Sequence, residues 1–133
     1  MCREYGEIKG PAGNGKVSAV VRSDVSEVAA KILENPEKWQ NQTLNMTGPE
    51  ELTMEEITKL ASKYLGKEIK YIPETLDEAY ESRKIWKAEQ WEYDSWVSTY
   101  TAIAEGEQAG VSNDIEKVLG RKATSLTEYL ETL

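Results

Sequence analysis

Tyr80 and Lys84 stand four residues apart, and so do Tyr5 and Lys9. At that spacing a phenol and an ammonium share one face of a helix. The ammonium lowers the phenol's pKa, and the pair can pass a proton to a reacting oxygen. Such chemistry needs a cofactor beside it. The chain has no Gly-x-Gly-x-x-Gly to cradle a dinucleotide pyrophosphate. With seven tyrosines in 133 residues, the spacing also arises by chance. Spacing alone therefore gives neither pair a role, and no catalytic or cofactor-binding residue is assigned.

Other chemistries are excluded by composition. There is no histidine, so no Ser-His or Cys-His dyad and no imidazole metal ligand. The single cysteine, Cys2, can form neither a thiolate zinc site nor an internal disulfide, which suits a reducing cytoplasm. The carboxylates are scattered over helical patterns as solvated faces, so no metal site is expected. The stretch "GPAGNGK" is followed by a strand where a phosphate loop needs a helix, and it lacks the hydroxyl after Lys16. A formal net charge of −8 argues against nucleic acid or an anionic membrane as partner. No apolar run is long enough to span a bilayer, and the first ten residues hold no signal-peptide core. A cytoplasmic location is expected.

Trp86, Trp91 and Trp96 lie five residues apart, and each step turns about 140° on a helix, so all three cannot face one way. Trp86 and Trp96 share a stripe with Tyr93 and Tyr100, which reads as core; Trp91 falls off it. Arg22 and Asp24 flank a helix start, where an aspartate favours capping. Trp91, Trp86 and Arg22 are the candidate substrate-pocket residues.

Elements must position these groups. Residues 1–16 read as a loop-rich segment. "KVSAVV", "TLNM" and "EIKYI" read as three short strands. Helices follow Ser23 or Asp24, Thr53, Thr75, Ser112 or Asn113, and Ser125. Three of these starts are capping boxes, Thr53 with Glu56, Thr75 with Glu78 and Ser125 with Glu128. One long helix is expected over residues 82–106. The class is α/β: one domain over residues 1–133, with a small, mostly parallel sheet of about three strands and a helix-rich C-terminal half.

Taken in order, these segments resemble the NmrA-like family, atypical short-chain dehydrogenases that include NAD(P)H:quinone oxidoreductases and redox-sensing regulators. "GKVSAVVRSDVSEVAAKILENP" is similar to the strand and helix around the family's Arg-x-Asp-Val/Ile-Ala motif. "LNMTGPEELTMEEITKLASKYLGKEIKYI" and "AIAEGEQAGVSNDIEKVLGRKATSLTEYL" are similar to its later segments. The resemblance runs over residues 6–133 and implies the C-terminal half, a substrate lobe that closes over a nicotinamide. Ser26 and Ala123 replace the family's Ala and Pro. "KAEQW" replaces a Gly-hydrophobic-Pro before Trp91, which predicts an uninterrupted helix there.

The resemblance implies NAD(P)H-dependent oxidoreduction, with NADP or NAD bound by the other half. For this chain the expectation is a truncated NmrA-like protein with no cofactor site of its own and no activity alone. The alternatives are the substrate piece of a split quinone reductase-like enzyme, completed by a separate Rossmann-half chain, and a small regulatory or binding module. A homodimer through surface uncovered by the missing half is expected, with no nucleic acid or membrane partner.

Overall fold

The computed structural model describes residues 6–133. Cys2 and the Tyr5 of the first Tyr-Lys pair lie outside them. Backbone contacts divide the chain into two compact units, residues 1–17 with 52–109 and residues 18–51 with 110–133.

The first unit carries the sheet. Strand β1 (Glu7–Gly10) pairs in parallel with β4 (Lys70–Pro73), Glu7 opposite Lys70 and Gly10 opposite Pro73. Strand β2 (Lys16–Val17) pairs antiparallel with β3 (Leu52–Thr53). The α/β class and the small parallel sheet match the sequence reading, but the strands lie elsewhere. Of the three expected, "EIKYI" forms as β4 and "KVSAVV" survives only as its first two residues. β1 lies inside the segment read as loop. It has one apolar residue, Ile8, between two charged ones, and is a strand because a partner some sixty residues away supplies the ladder.

Helices α2 (Met54–Leu65) and α3 (Leu76–Arg83) begin at the predicted capping boxes. Thr53 Oγ1 accepts from the Glu56 amide at 3.2 Å, and Glu56 accepts from the Thr53 amide at 2.8 Å. Gly66 ends α2 with a φ of 61°, which glycine adopts without penalty. The expected long helix over residues 82–106 is broken. α3 stops at Arg83, and α4 (Gln90–Ala104) begins behind Glu89, whose amide donates to the Glu92 carboxylate at 2.9 Å. Tyr93 holds the break open. Its hydroxyl donates to the Trp86 carbonyl at 2.6 Å and accepts from the Ala88 amide at 3.2 Å.

Ala12, Met54 and Ile103 form the buried core of this unit, with Ile8, Val17, Ile57, Tyr71 and Tyr100 packed around them. The loop between β1 and β2 is pinned to this core. The Tyr71 hydroxyl accepts from the Ala12 amide at 3.1 Å and donates to the Gly10 carbonyl at 2.9 Å. Gly15 presses against α4, where an added Cβ would lie 2.0 Å from the Ile103 carbonyl oxygen.

The second unit holds α1 (Arg22–Glu34), a 3-10 turn (Pro36–Trp39), α5 (Asp114–Leu119) and α6 (Leu126–Glu131). Val28, Ile115 and Leu130 are its buried apolar residues. The expected strand "TLNM" does not form. Side chains take the place of a ladder there: Asp114 Oδ2 accepts from the Asn45 amide at 2.8 Å, and Ser112 Oγ donates to the Asn45 carbonyl at 2.6 Å. The Thr-Gly-Pro that follows is a close approach. A Cβ on Gly48 would meet the Ala19 carbonyl oxygen at 2.1 Å. Among the described residues, no helix is long and apolar enough to cross a membrane.

Gly15→Ala forces a methyl into a backbone carbonyl that cannot step aside. It is expected to destabilise the chain by about 1–3 kcal/mol, read from the urea unfolding midpoint. An unchanged midpoint would show that α4 does not pack there.

Candidate functional site

Two strands in parallel point their carboxyl ends the same way, and in open α/β sheets ligands gather at that end. Here it is marked by a buried charge. Arg83, the last residue of α3, is 3 % exposed. Its Nη1 donates to Glu74 Oε2 at 3.1 Å and to the Ala79 carbonyl at 2.8 Å; its Nη2 donates to the Lys9 carbonyl at 3.1 Å. Glu74, directly after β4, has its side chain 6 % exposed, and its amide donates to the Gly10 carbonyl. The guanidinium also lies over the Tyr100 ring, 5.4 Å from its centroid.

Above this pair is a cavity of about 520 Å³ walled by Arg83, Trp86, Trp96, Thr99 and Tyr100. Trp86 and Trp96 meet edge to face, their centroids 6.5 Å apart at 86°. Tyr93 supports Trp96 from behind, at 5.7 Å and 80°. The helix break makes this wall: Trp86 sits on the loop that Tyr93 holds and faces Trp96 from outside α4. Burial pushes the Tyr100 hydroxyl's pKa up, against the pull of Arg83, and also raises that of Tyr71. With the Arg83 charge matched by Glu74, the cavity offers aromatic surface and hydroxyls without net charge.

Of the three candidate pocket residues, Trp86 lines this cavity. Trp91 is on the first turn of α4, 70 % exposed, and is not part of the wall. Arg22 opens α1 in the second unit, where its carbonyl accepts from Ser26 Oγ at 3.0 Å. Sequence reasoning placed Trp96 and Tyr100 in a core stripe and passed over Arg83. The signal for Arg83 was an arginine at a helix end in an otherwise acidic helix, which is weak.

The Tyr80/Lys84 pair is not a proton relay. The Tyr80 hydroxyl donates to Asp94 Oδ1 at 2.9 Å, which raises its pKa rather than lowering it, and Lys84 turns to Glu81 at 2.6 Å. The loop over residues 10–16 does not fit a pyrophosphate. The Ala12 amide is taken by Tyr71, the Gly15 amide by the Ala12 carbonyl, and a strand follows instead of a helix. Among the described residues no cluster of His, Cys, Asp or Glu could hold a metal ion.

Asp24 corrects the capping expectation. The α1 N-cap is Val21, and Asp24, 1 % exposed, binds across the second unit instead. Its carboxylate accepts from the Thr124 amide at 2.6 Å, the Thr124 hydroxyl at 2.9 Å and Arg121 Nη2 at 3.0 Å. Arg121 also bonds Glu27. Burial alone would raise the Asp24 pKa, but these donors outweigh it and hold the carboxyl below its usual value.

The profile of the NmrA-like family matches residues 3–132. The NAD(P)H azoreductase of Xenophilus azovorans is 31% identical over 127 residues, covering 96% of this chain and 44% of that protein. The triphenylmethane reductase of Citrobacter sp. superposes with a TM-score of 0.84 at 27% identity, over 97% of this chain and 44% of its own, and is also solved with NADP(H) bound. An NADPH-dependent quinone oxidoreductase of Escherichia coli shares the fold, with a TM-score of 0.79 at 19% identity over 97% of this chain and 46% of its own. The chain thus spans less than half the length of each of these relatives.

Two substitutions test the buried charges. Glu74→Gln leaves the Arg83 guanidinium uncompensated and is expected to cost about 3–5 kcal/mol in urea unfolding. A loss below about 1 kcal/mol would mean the pair is solvated. Asp24 has a folded pKa below its unfolded value of about 3.9, so its contribution is full above that pH and disappears as pH falls through the folded value. Asp24→Asn should therefore be less stable than wild type at neutral pH and converge on it as the pH falls below the folded value. A stability gap independent of pH would contradict this.

Proposed function

This chain belongs to the NmrA-like family, and on that premise we propose that its 133 residues form the acceptor-holding part of an NAD(P)H-dependent reductase. They have no dinucleotide site of their own and no reductase activity until a nucleotide-binding partner, such as a separate Rossmann-half chain, supplies one. The cavity between Trp86, Trp96 and Tyr100, at the carboxyl ends of β1 and β4, carries this reading. Aromatic walls and a charge-balanced floor suit a flat conjugated molecule. The azoreductase is named for azo compounds and the triphenylmethane reductase for triphenylmethane dyes, both of them conjugated. The lack of a Gly-x-Gly-x-x-Gly and the engaged amides of the 10–16 loop support the absence of a nucleotide site.

Calorimetry on the purified chain tests both parts. An azobenzene carboxylate should bind saturably, and Trp96→Ala should weaken it by about tenfold or more, the loss of one stacked aromatic wall. NADPH should give no saturable heat at micromolar concentrations. Tight NADPH binding by this chain alone would overturn the proposal.

We further propose that the chain self-associates as a symmetric dimer. Ile85 and Trp91 in the first unit are each 70 % exposed and Leu33 in the second is 78 % exposed, large apolar side chains that a second copy would cover. Light scattering at micromolar concentration should give twice the chain mass; a clean monomer would refute it.

A further inference from the structure

Four tyrosines of the first unit differ in one respect, and of these only Tyr100 walls the cavity. Tyr71, Tyr80 and Tyr93 each commit their hydroxyl, to Ala12 and Gly10, to Asp94, and to Ala88 and Trp86. Among the described residues the Tyr100 hydroxyl has no hydrogen-bond partner, although its ring is half-buried. No fully buried side-chain polar atom is left unpaired in the described residues, so this hydroxyl is not sealed in packing. Tyr100 is one wall of the cavity, with Trp86, Trp96, Thr99 and Arg83.

The ring itself cannot swing away. Gly10 lies against one part of it, so close that a Cβ there would come within 2.4 Å of the ring, and the Arg83 guanidinium lies over its face. A fixed phenol with an idle hydroxyl at the edge of an aromatic cavity is a preorganised donor. A phenol is protonated across the neutral range, and burial pushes this one's pKa further up.

We propose that the Tyr100 hydroxyl donates the hydrogen bond that selects ligands for this cavity: planar conjugated molecules with an acceptor atom, an azo nitrogen or a carbonyl oxygen, within reach of the phenol. This rests on the reading of the cavity as the acceptor site and assigns the residue that determines specificity there. Tyr100 is then the polar element of the pocket, and Trp86 and Trp96 supply shape.

The test compares two ligands of one shape. Azobenzene-4-carboxylate has acceptor nitrogens, and trans-stilbene-4-carboxylate has carbons in their place. The wild-type chain should bind the azo compound more tightly. Tyr100→Phe keeps the ring and removes only the oxygen. It should weaken the azo compound by about two- to tenfold, the worth of one neutral hydrogen bond, and leave the stilbene unchanged. A merely structural role would weaken both ligands together, and that result would overturn the proposal, as would a Tyr100→Phe variant that binds both as wild type does. In those cases Trp96→Ala still weakens both ligands if the cavity is the acceptor site. If the wild type binds neither ligand, or Trp96→Ala changes neither, the reading of the cavity itself fails and this inference fails with it.

Discussion

The first unit is organised around the buried Arg83 guanidinium. A charge taken out of water costs several kcal/mol unless its donors are matched, and Arg83 is matched from several elements. It bonds the carbonyl of Lys9 on β1, Glu74 directly after β4, the carbonyl of Ala79 on α3, and it covers the Tyr100 ring on α4. A shift of any of these would leave a donor or the carboxylate unpaired. The carboxyl end of the parallel pair and the cavity above it are therefore held by one side chain. The same pairing removes the net charge that would otherwise draw an anion into the site.

The second unit uses the same device with the opposite sign. The buried carboxylate of Asp24 gathers donors from Thr124 and Arg121, nearly a hundred residues later in the chain, and ties α1 to the segment before α6. Asp114 does this for the extended stretch at Asn45, whose amide and the Lys117 ammonium hold its carboxyl below the usual range. Short irregular segments are fixed by buried acids where a larger domain would use sheet.

The parts legible in the sequence were those fixed by local chemistry. Thr53, Thr75 and Ser125 open helices as their capping boxes predict, because each signal is complete within four residues. Long-range bonds were hidden. β1 depends on β4, and the break after Arg83 depends on Tyr93 reaching back to Trp86 and Ala88. The Trp86–Trp96–Tyr100 stripe was visible as a pattern. That it walls a cavity instead of filling a core follows from the break, which periodicity alone could not place. Asp24 was misread because an acid at a helix start has a sufficient local explanation, and its true partner is Thr124.

The four tryptophans offer one direct measurement of the central claim, that these residues receive a flat acceptor and not a dinucleotide. Each indole N–H gives its own signal in a heteronuclear NMR spectrum. On titration with azobenzene-4-carboxylate the signals of Trp86 and Trp96 should move saturably while those of Trp39 and Trp91 stay, and NADPH should move none of them. Saturable shifts on adding NADPH, or acceptor-induced shifts confined to Trp39 and Trp91, would contradict the account.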